Sequence, residues 1–399
     1  MKKHLLICFM AFSATACAQG SWTQKADFGG TPRWCPVAFS IGTNGYMGIG
    51  WDSTSNYTND FWQWNQATNT WTQKANYGGS PGEYAVAFSI GAKGYVATGT
   101  SGSGNELWEY DTLTNVWTAK ANFASGRFNA VAFSIGSKGY LGTGFDLTSG
   151  APVDDFWEYD PATDAWTQKA NFGGGIRTDA VGFAINDKGY IGTGSNFITD
   201  QKDFWEYDTA SNAWTQKADL AGVKREFAVG FAILDKGYIG TGTDFNGTGL
   251  LNDFWQYDPV NDSWVQKATF GGTSRLGATA FSIGVKGYIA AGDDGTGGNH
   301  FKKDLWEYAP DSIATYSNEI NPDLSVQIYP NPTKDICTLN AINFKNSVLT
   351  LSDIAGRTLL REAFNTKGEL NLGYLSNGIY NVEIKNNRGN YVIKQIIKQ

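Results

Sequence analysis

The chain has 399 residues, a formal charge of −7, 15% aromatic residues and 49 glycines, whereas charged residues make up only 17%. Aromatic side chains suit pleated surfaces and glycine suits tight turns, so this composition predicts an all-β protein and excludes a disordered one. Only two histidines are present, and His4 lies in a segment that we expect to be removed. Sites built from several histidines are therefore excluded.

The first residues have the pattern of an export signal. Lys2 and Lys3 precede an apolar run from Leu5 to Phe12, and Ala16-Cys17-Ala18 fits a signal peptidase site. We therefore predict a signal peptide over residues 1–18 and a mature charge of −9. Cleavage before Cys17 followed by lipidation is the alternative. No other stretch has the 18 apolar residues of a spanning helix, so we expect no transmembrane segment.

One pattern of about 48 residues repeats through most of the chain. A motif W-T-Q-K-A and its variants recurs at Trp22, Trp71, Trp117, Trp166, Trp214 and Trp264. A second motif, D-F-W-E-Y-D and its variants, recurs at Trp62, Trp108, Trp157, Trp205, Trp255 and Trp306. Each of the first five tryptophans of the second series lies nine residues before the next tryptophan of the first. This constant offset indicates a rigid local unit.

Each repeat predicts four short strands. In the second repeat these are Ala85–Ile90, Tyr95–Thr98, Leu107–Tyr110 and a strand around Trp117, separated by turns that contain glycine or polar residues. Four-stranded antiparallel units of this length are typical of propeller blades, whose apolar faces are covered by the neighbouring blades.

Counting the strands predicts how the ring closes. The sixth repeat, from Ala278 to Tyr308, has no fourth strand, whereas an unpaired copy of that strand, Trp22 to Lys25, begins the mature chain. Pairing the two would complete the sixth blade and remove exposed sheet edges. We therefore predict a six-bladed β-propeller over residues 19–308 that is closed by its N-terminal strand.

The repeats resemble the kelch family. The resemblance rests on a period near 50, glycines that end the second strand, and Tyr and Trp residues that flank the third turn. The glycine doublet of the family is replaced here by Gly-x-Gly or less, as in Gly142-Thr143-Gly144. The resemblance implies a propeller, and a fold of this kind does not by itself define a function.

The composition changes after the propeller. A polar linker is expected over residues 309–324, and residues 325–399 contain no Trp and carry nine basic and five acidic side chains, a net charge of +4. The alternating segments Val348–Leu351, Ile379–Ile384 and Tyr391–Ile397 predict a small C-terminal β-sandwich. The rest of the mature chain then carries −13, which disfavours nucleic acid as a partner.

This tail resembles the C-terminal sorting domain of the type IX secretion system of Bacteroidetes. The motifs that carry the resemblance are Tyr329-Pro330-Asn331-Pro332, Leu351–Arg357 with Gly356, Gly378-Ile379-Tyr380, and Val392–Lys398 with Lys394. The resemblance implies that the translocon and its sorting machinery are partners, that the protein is secreted or reaches the outer cell surface, and that the tail is then removed. A retained immunoglobulin-like module is the alternative.

The loops of a four-stranded propeller blade divide between two faces. The loop before the first strand and the loop between the second and third strands share one face, and here they vary in length and content from blade to blade. The short hairpins on the opposite face are nearly invariant. Binding usually resides in variable loops on a rigid scaffold, so we expect any ligand at the first face, called the variable-loop face below.

An arginine stands six residues before the repeated Phe of the first strand in five blades, namely Arg33, Arg127, Arg177, Arg225 and Arg275. The second blade has Gly82 there, followed by Glu83. One interpretation is a ring of forked donors around the channel mouth that binds a carboxylate, a sulfate or sugar hydroxyls, with Trp34, Phe128 and Trp51 as stacking surfaces. The alternative is that each arginine ties its loop to an acidic or aromatic residue of the adjacent blade.

A single acidic residue precedes the third strand of every blade: Asp60, Glu106, Asp155, Asp203, Asp253 and Asp304. Because these carboxylates do not converge, we expect them to anchor loop backbone rather than to bind a metal. We predict no metal site and no cofactor. His300 is expected to be an exposed loop residue.

Three functions remain open. The first is a binding protein for a glycan or another surface protein. The second is an epimerase or mutarotase of acidic sugars such as sialic acid, with a rim arginine on the sugar carboxylate and Glu83 or Glu226 as acid and base. The third is a purely structural surface protein. The copper site of kelch-like galactose oxidases needs two histidines, which the mature chain lacks.

Overall fold

The computed structural model describes residues 19–310 and 325–398, except for residues 246, 297–299, 332, 343, 345, 354–357, 376–377 and 387–390. The signal peptide, most of the linker, Pro332 and Gly356 thus lie outside the described residues. Every regular element in the described part is a β-strand, so the all-β prediction is confirmed.

Six four-stranded antiparallel sheets form the propeller. Blade 1 consists of Val37–Ile41, Asn44–Gly48, Phe61–Asn65 and Thr70–Gln73; blade 2 of Val86–Ile90, Lys93–Ala97, Leu107–Asp111 and Val116–Ala119; and blade 3 of Val131–Ile135, Lys138–Gly142, Phe156–Asp160 and Ala165–Gln168. Blade 4 consists of Val181–Ile185, Lys188–Gly192, Phe204–Asp208 and Ala213–Lys217; blade 5 of Val229–Ile233, Lys236–Gly240, Phe254–Asp258 and Ser263–Gln266; and blade 6 of Thr279–Ile283, Lys286–Ala290, Leu305–Ala309 and Ser21–Lys25.

The N-terminal strand completes blade 6 as predicted. Ser21–Lys25 pairs antiparallel with Leu305–Ala309, in a register that places Trp22 opposite Tyr308. The Trp22 ring contacts Phe254 and Phe270 of blade 5 with ring centroids 5.0 Å apart, and its Nε1 donates to the Ala268 carbonyl at 3.1 Å. The first strand of the chain therefore holds the last blade against its neighbour.

The repeated Phe and Gly residues explain how the blades pack. Each inner strand places its Phe against the neighbouring blade, where the glycine of the Lys-Gly-Tyr or Asn-Gly-Tyr motif leaves room for the ring. A Cβ on Gly94 would lie 2.0 Å from the Phe39 ring, and one on Gly139 would lie 2.3 Å from the Phe88 ring. The inner strands turn small residues such as Ala38 and Ser40 toward a central channel with a cavity of about 660 Å³.

Short strand pairs in the loops were not predicted. Arg33–Trp34 pairs with Trp51–Asp52, Arg127–Phe128 pairs with Phe145–Asp146, which also pairs with Ala151–Pro152, and Thr243–Asp244 pairs with Gly249–Leu250. The first two pairs join the two loops of a blade on the variable-loop face, whereas the pairs with Ala151–Pro152 and Gly249–Leu250 lie within the loop between the second and third strands.

The C-terminal region forms two antiparallel sheets, as expected for a β-sandwich. One sheet has the order Ser325–Tyr329, Ile336–Ile342, Lys367–Asn371, and the other has the order Thr358–Phe364, Ser347–Asp353, Gly378–Asn386, Tyr391–Lys398. Its buried core includes Leu339, Leu349, Leu351, Val382 and Ile384. Four of these seven strands were not predicted from the sequence.

Candidate functional site

The five repeated arginines are buried inside the blades, with at most 1% of their surface exposed. In blade 4, Arg177 donates to both carboxylate oxygens of Asp203, at 2.8 and 3.0 Å, and to the Thr193 carbonyl at 2.7 Å. The same carboxylate accepts the indole N–H of Trp205 at 2.8 Å. The other pairs are Arg33 with Asp60, Arg127 with Asp155, Arg225 with Asp253, and Arg275 with Asp304.

These pairs, called struts below, correct three expectations. The arginines do not offer a ring of donors to a ligand, because their guanidinium groups are buried and bound to carboxylates. Each strut lies within one blade, where it ties the loop before the inner strand to the start of the third strand, and not between adjacent blades. The repeated acidic residues are structural as expected, but in five blades their main partner is the arginine rather than loop backbone.

Electrostatics and packing support this role. Burial alone would raise the pKa of Asp60, but hydrogen bonds and charge from Arg33 outweigh it and lower that pKa; Arg225 does the same to Asp253. In four blades the guanidinium also lies over a Phe ring, at 4.6 to 5.2 Å from its centroid. Blade 2 lacks the arginine, and the longer Glu106 side chain instead accepts from the backbone N–H and the hydroxyl of Ser80.

The residue that follows each strut position varies and faces a residue of the loop between the second and third strands. We call these six couples the face pairs. They are Trp34 with Trp51, Glu83 with Thr100, Phe128 with Phe145, Thr178 with Ser195, Glu226 with Thr243, and Leu276 with Asp293. In five blades the constant strut thus lies beside two side chains whose chemistry differs from blade to blade, and blade 2 presents such a couple without a strut.

The next residue in each blade has a positive φ and surrounds the channel mouth. These residues, the hub ring, are Cys35, Tyr84, Asn129, Asp179, Phe227 and Gly277, with φ between 48° and 61°. Five backbone hydrogen bonds of 2.9 to 3.3 Å join successive members, for example from the Asp179 N–H to the Asn129 carbonyl. At Gly277 a Cβ would lie 1.9 Å from the Trp34 indole nitrogen, so only glycine leaves room for that ring.

Three rings cover the hub. The Trp34 ring centroid lies 5.4 Å from that of Tyr84 and 6.4 Å from that of Phe227, and the Tyr84 and Phe227 centroids are 6.0 Å apart. Trp34 also stacks on Phe301 of blade 6, with 6.3 Å between the ring centroids, so it packs over the channel mouth and contacts three other blades. Trp51 turns instead toward Tyr57 of its own loop, with 4.7 Å between the ring centroids.

From the rings of Trp34, Tyr84 and Phe227, aromatic contacts continue outward over blade 3 to the loops of blade 4. Phe128 lies 6.1 Å from Tyr84 and stacks on Phe145 at 5.1 Å, and Phe145 stacks on Phe197 at 5.5 Å. On the other side, Phe245 of blade 5 contacts Phe227 at 6.5 Å. Phe197 and Phe245 are 61% and 62% exposed, so this aromatic series ends in solvent-exposed rings.

Four carboxyl groups lie between the loops of blades 4 and 5. This acidic centre comprises Asp179, Asp200, Glu226 and Asp244. Burial raises the pKa of Glu226 to about 7, the charge of Asp200 adds to the shift, and the Ser195 hydroxyl opposes it. Burial and the nearby Glu226 also raise the pKa of Asp179, and burial and the nearby Asp244 raise the pKa of Asp200.

Glu83 and Glu226, the two predicted acid–base residues, do not share a site. Glu83 belongs to blade 2 and Glu226 to blade 5, on opposite sides of the ring of six blades. Burial raises the pKa of Glu83, which accepts a hydrogen bond from Tyr57. His300, expected to be an exposed loop residue, is partly exposed and its Nδ1 lies 2.6 Å from the Asp293 carboxylate. Across the described residues, no three His, Cys, Asp or Glu side chains are grouped so as to hold a metal ion.

The predicted sorting residues have different environments. Tyr329, Pro330, Asn331 and Lys394 are exposed, whereas Tyr380 is buried in the sandwich core. Gly378 begins the strand that carries Tyr380. Lys398, the last residue of the terminal motif, is buried, and its Nζ donates to the carbonyls of Leu372 and Leu375 at 2.7 and 2.6 Å.

The fold and the site define a six-bladed propeller with a variable-loop face, followed by a separate β-sandwich. Residues 327–399 match the family model of the secretion system C-terminal sorting domain, so the tail indicates export through type IX secretion to the cell surface or the extracellular space. Among solved structures, the chain titled "Structure of YjhT" is a β-propeller that matches with a TM-score of 0.61 and 15% identity, covering 70% of this chain and 95% of that one. The search of curated proteins found no match.

None of the residues described here forms a helix that is long and apolar enough to cross a membrane. The sequence predicts that the variable-loop face, Trp34 and Glu226 belong to a site, but its patterns did not indicate Tyr84, Phe227 or the loop residues Phe197, Phe245, Asp200 and Asp244. For the hub ring a signal was present, since its members all stand two residues after the strut position and differ in every blade. For the loop residues no repeated spacing exists.

Proposed function

We propose that the protein is an exported binding protein of the cell surface, built on kelch-type repeats, whose variable-loop face engages a glycan or protein ligand. The observation that carries this proposal is the exposed aromatic surface beside buried carboxylates. Phe197 and Phe245 stand in solvent in the two loops that carry Asp200 and Asp244, and the Phe245 backbone N–H donates to the Asp200 carboxylate at 3.2 Å. Contiguous exposed apolar surface on a soluble scaffold is typical of an interaction site.

The hairpin face offers no comparable surface. Its repeated lysines are paired within their own blades: Lys93 with Asp111, Lys138 with Asp160, Lys188 with Asp208, and Lys236 with Asp258. The exposed apolar residues of this face, such as Leu113 and Val260, stand singly in separate turns. We therefore place the ligand on the variable-loop face.

One observation favours a second candidate, a sugar epimerase or mutarotase. A carboxyl group with a pKa of about 7, such as that of Glu226, is suited to proton transfer near neutral pH. This mechanism also needs an arginine to bind the carboxylate of an acidic sugar. Each of the five arginines is buried and already bound to the aspartate of its strut, so the substrate carboxylate lacks its expected partner. We rank binding above catalysis for this reason.

A glycan array and a peptide library, both probed with the mature protein, test the binding proposal. Phe197→Ser and Trp34→Ala should abolish the signal, whereas Leu113→Ser, which removes an even more exposed apolar side chain from the hairpin face, should leave it unchanged. Proton NMR of sialic acid anomers tests the second candidate, since unchanged interconversion in the presence of the protein removes it. A negative result in all three assays favours a purely structural surface protein.

A further inference from the structure

The exposed apolar residues of the variable-loop face are concentrated on blades 3 to 5. On these blades they are Leu147, Ile176, Phe197, Ile198, Val223 and Phe245, each at least 36% exposed, whereas the exposed Tyr57 belongs to blade 1. Four of the six are branched aliphatic residues. Aliphatic side chains offer no flat surface for stacking on a sugar ring, whereas mixed aliphatic and aromatic surface is typical of the centre of protein–protein interfaces. This composition favours a protein over a glycan.

The acidic centre lies among these apolar residues, and its carboxyl groups outnumber the cations that act on them among the described residues. Asp200, Glu226 and Asp244 are 6%, 9% and 4% exposed, although the charge of Asp200 opposes the ionisation of Glu226 and the charge of Asp244 opposes that of Asp200. Lys224 is the cation that acts on Asp200, and its Nζ lies 3.1 Å from the Thr199 hydroxyl. Buried oxygens of Asp179 and Asp244 have no hydrogen-bond partner within the described part of the chain.

A cation from outside the protein would satisfy these groups. Unpaired buried carboxylates are costly, and a charged partner with several donors removes that cost. The described carboxylates are not arranged to hold a metal ion, which needs its ligands close together. A guanidinium or ammonium group on a flexible side chain can instead donate to oxygens that lie farther apart.

We propose that the ligand of the variable-loop face is a protein that inserts a lysine or arginine side chain between the loops of blades 4 and 5. This inference rests on the proposed binding function and specifies its partner. The inserted cation pairs with the acidic centre, while apolar residues of the partner pack on Phe197, Ile198 and Phe245 and exclude water from the pair. Charge pairs enclosed by such apolar contacts are typical of binding hot spots.

The proposal implies a definite pH dependence. The cation binds the ionised centre, and the charged groups that act on Glu226 and its neighbours are Asp179, Asp200, Asp244 and Lys224. Because the pKa of Glu226 is about 7, the ionised fraction rises about tenfold between pH 6 and pH 8. Affinity should therefore increase about tenfold over this range.

A phage-displayed library of random dodecapeptides, panned on the mature protein at pH 8, tests the proposal. We expect the selected peptides to share a Lys or Arg flanked by apolar residues, and synthetic copies with norleucine at that position to bind at least tenfold more weakly. Glu226→Gln and Asp200→Asn should weaken binding to a similar extent. Asp187→Asn, at an exposed carboxylate on the hairpin face, is the matched control and should have no effect.

The outcomes separate this inference from the proposed function. Selected peptides that lack a basic residue, or that bind Glu226→Gln as tightly as the unmodified protein, overturn the inference but leave a binding function. The same holds if only glycans bind and their binding depends on Phe197. If neither peptides nor glycans bind, the proposed function itself fails. Far-ultraviolet circular dichroism of each variant confirms that the propeller remains folded.

Discussion

The strut of blade 6 allows a quantitative test of the scaffold. Arg275 is 1% exposed and donates to both oxygens of Asp304, at 2.6 and 2.9 Å, and to the Ala291 carbonyl at 2.9 Å. Arg275→Ala would leave the Asp304 carboxylate with Trp306 as its remaining described donor and would also remove the contact over the Phe270 ring. Breaking a buried ion pair from one side costs roughly 3–5 kcal/mol, so we expect a loss of that size in the free energy of unfolding.

Blade 2 supplies the control, because it lacks this arginine. There Glu106 reaches the backbone N–H and the hydroxyl of Ser80, both at 2.9 Å. The corresponding residue of blade 6 is Thr273, which has the same donors. The double variant Arg275→Ala/Asp304→Glu should therefore form the blade 2 arrangement and recover about 1–2 kcal/mol relative to Arg275→Ala.

Urea unfolding followed by tryptophan fluorescence measures both effects in the intact mature chain. All 15 tryptophans lie between residues 22 and 306, so the signal reports the propeller alone. The reasoning is refuted if Arg275→Ala loses less than about 1 kcal/mol, or if the double variant is no more stable than the single one.

Three further predictions follow from buried groups. Glu226→Gln should stabilise the propeller by roughly 1–3 kcal/mol at pH 8 and by less at pH 5. The pKa of Glu226 is raised in the folded state, so its ionisation destabilises the fold as the pH rises from about 4.3 toward 7. Equal gains in urea titrations at both pH values would contradict this. Trp22→Ala should cost about 3–5 kcal/mol by opening blade 6, whereas Trp51→Ala, on a loop, should cost clearly less by the same fluorescence assay. Lys398→Met should leave two buried carbonyls unpaired and reduce export, measured by immunoblot of medium and cells, while the exposed Lys367→Met should not.

The fold could be predicted because every blade packs against its neighbour through the same residues. The Phe of one inner strand fills the space beside the glycine of a neighbouring blade, so both residues recur in every repeat. The predicted strands of blade 2 agree with the observed ones within two residues at each end. The N-terminal closure was predictable by counting, since one strand was missing at the end of the repeats and one was left over at the start.

The arginines show where a repeated pattern is ambiguous. Their spacing from the inner strand placed them near the channel mouth, but it did not indicate whether the side chains point into the channel or back into the blade. The acidic residue 26 to 29 positions later decides this, because the two charges are buried together. The strands of the C-terminal sandwich were harder to predict, because each occurs once and its pattern cannot be compared with that of other repeats.

The sequence by itself determined the number of blades, the closure and the sorting tail, because each of these follows from local patterns or from repetition. The signal peptide and the face on which a site would lie stay predictions from the same patterns. Only the tertiary structure decided the site itself. Trp34 reaches Phe227 across the channel mouth, and Asp200 meets Asp244 between two variable loops. These contacts join residues that are distant in the chain and unrelated by the repeat, so no periodicity encodes them. The residues that form the scaffold recur in all six repeats, whereas the candidate site is formed by residues at which the six repeats differ.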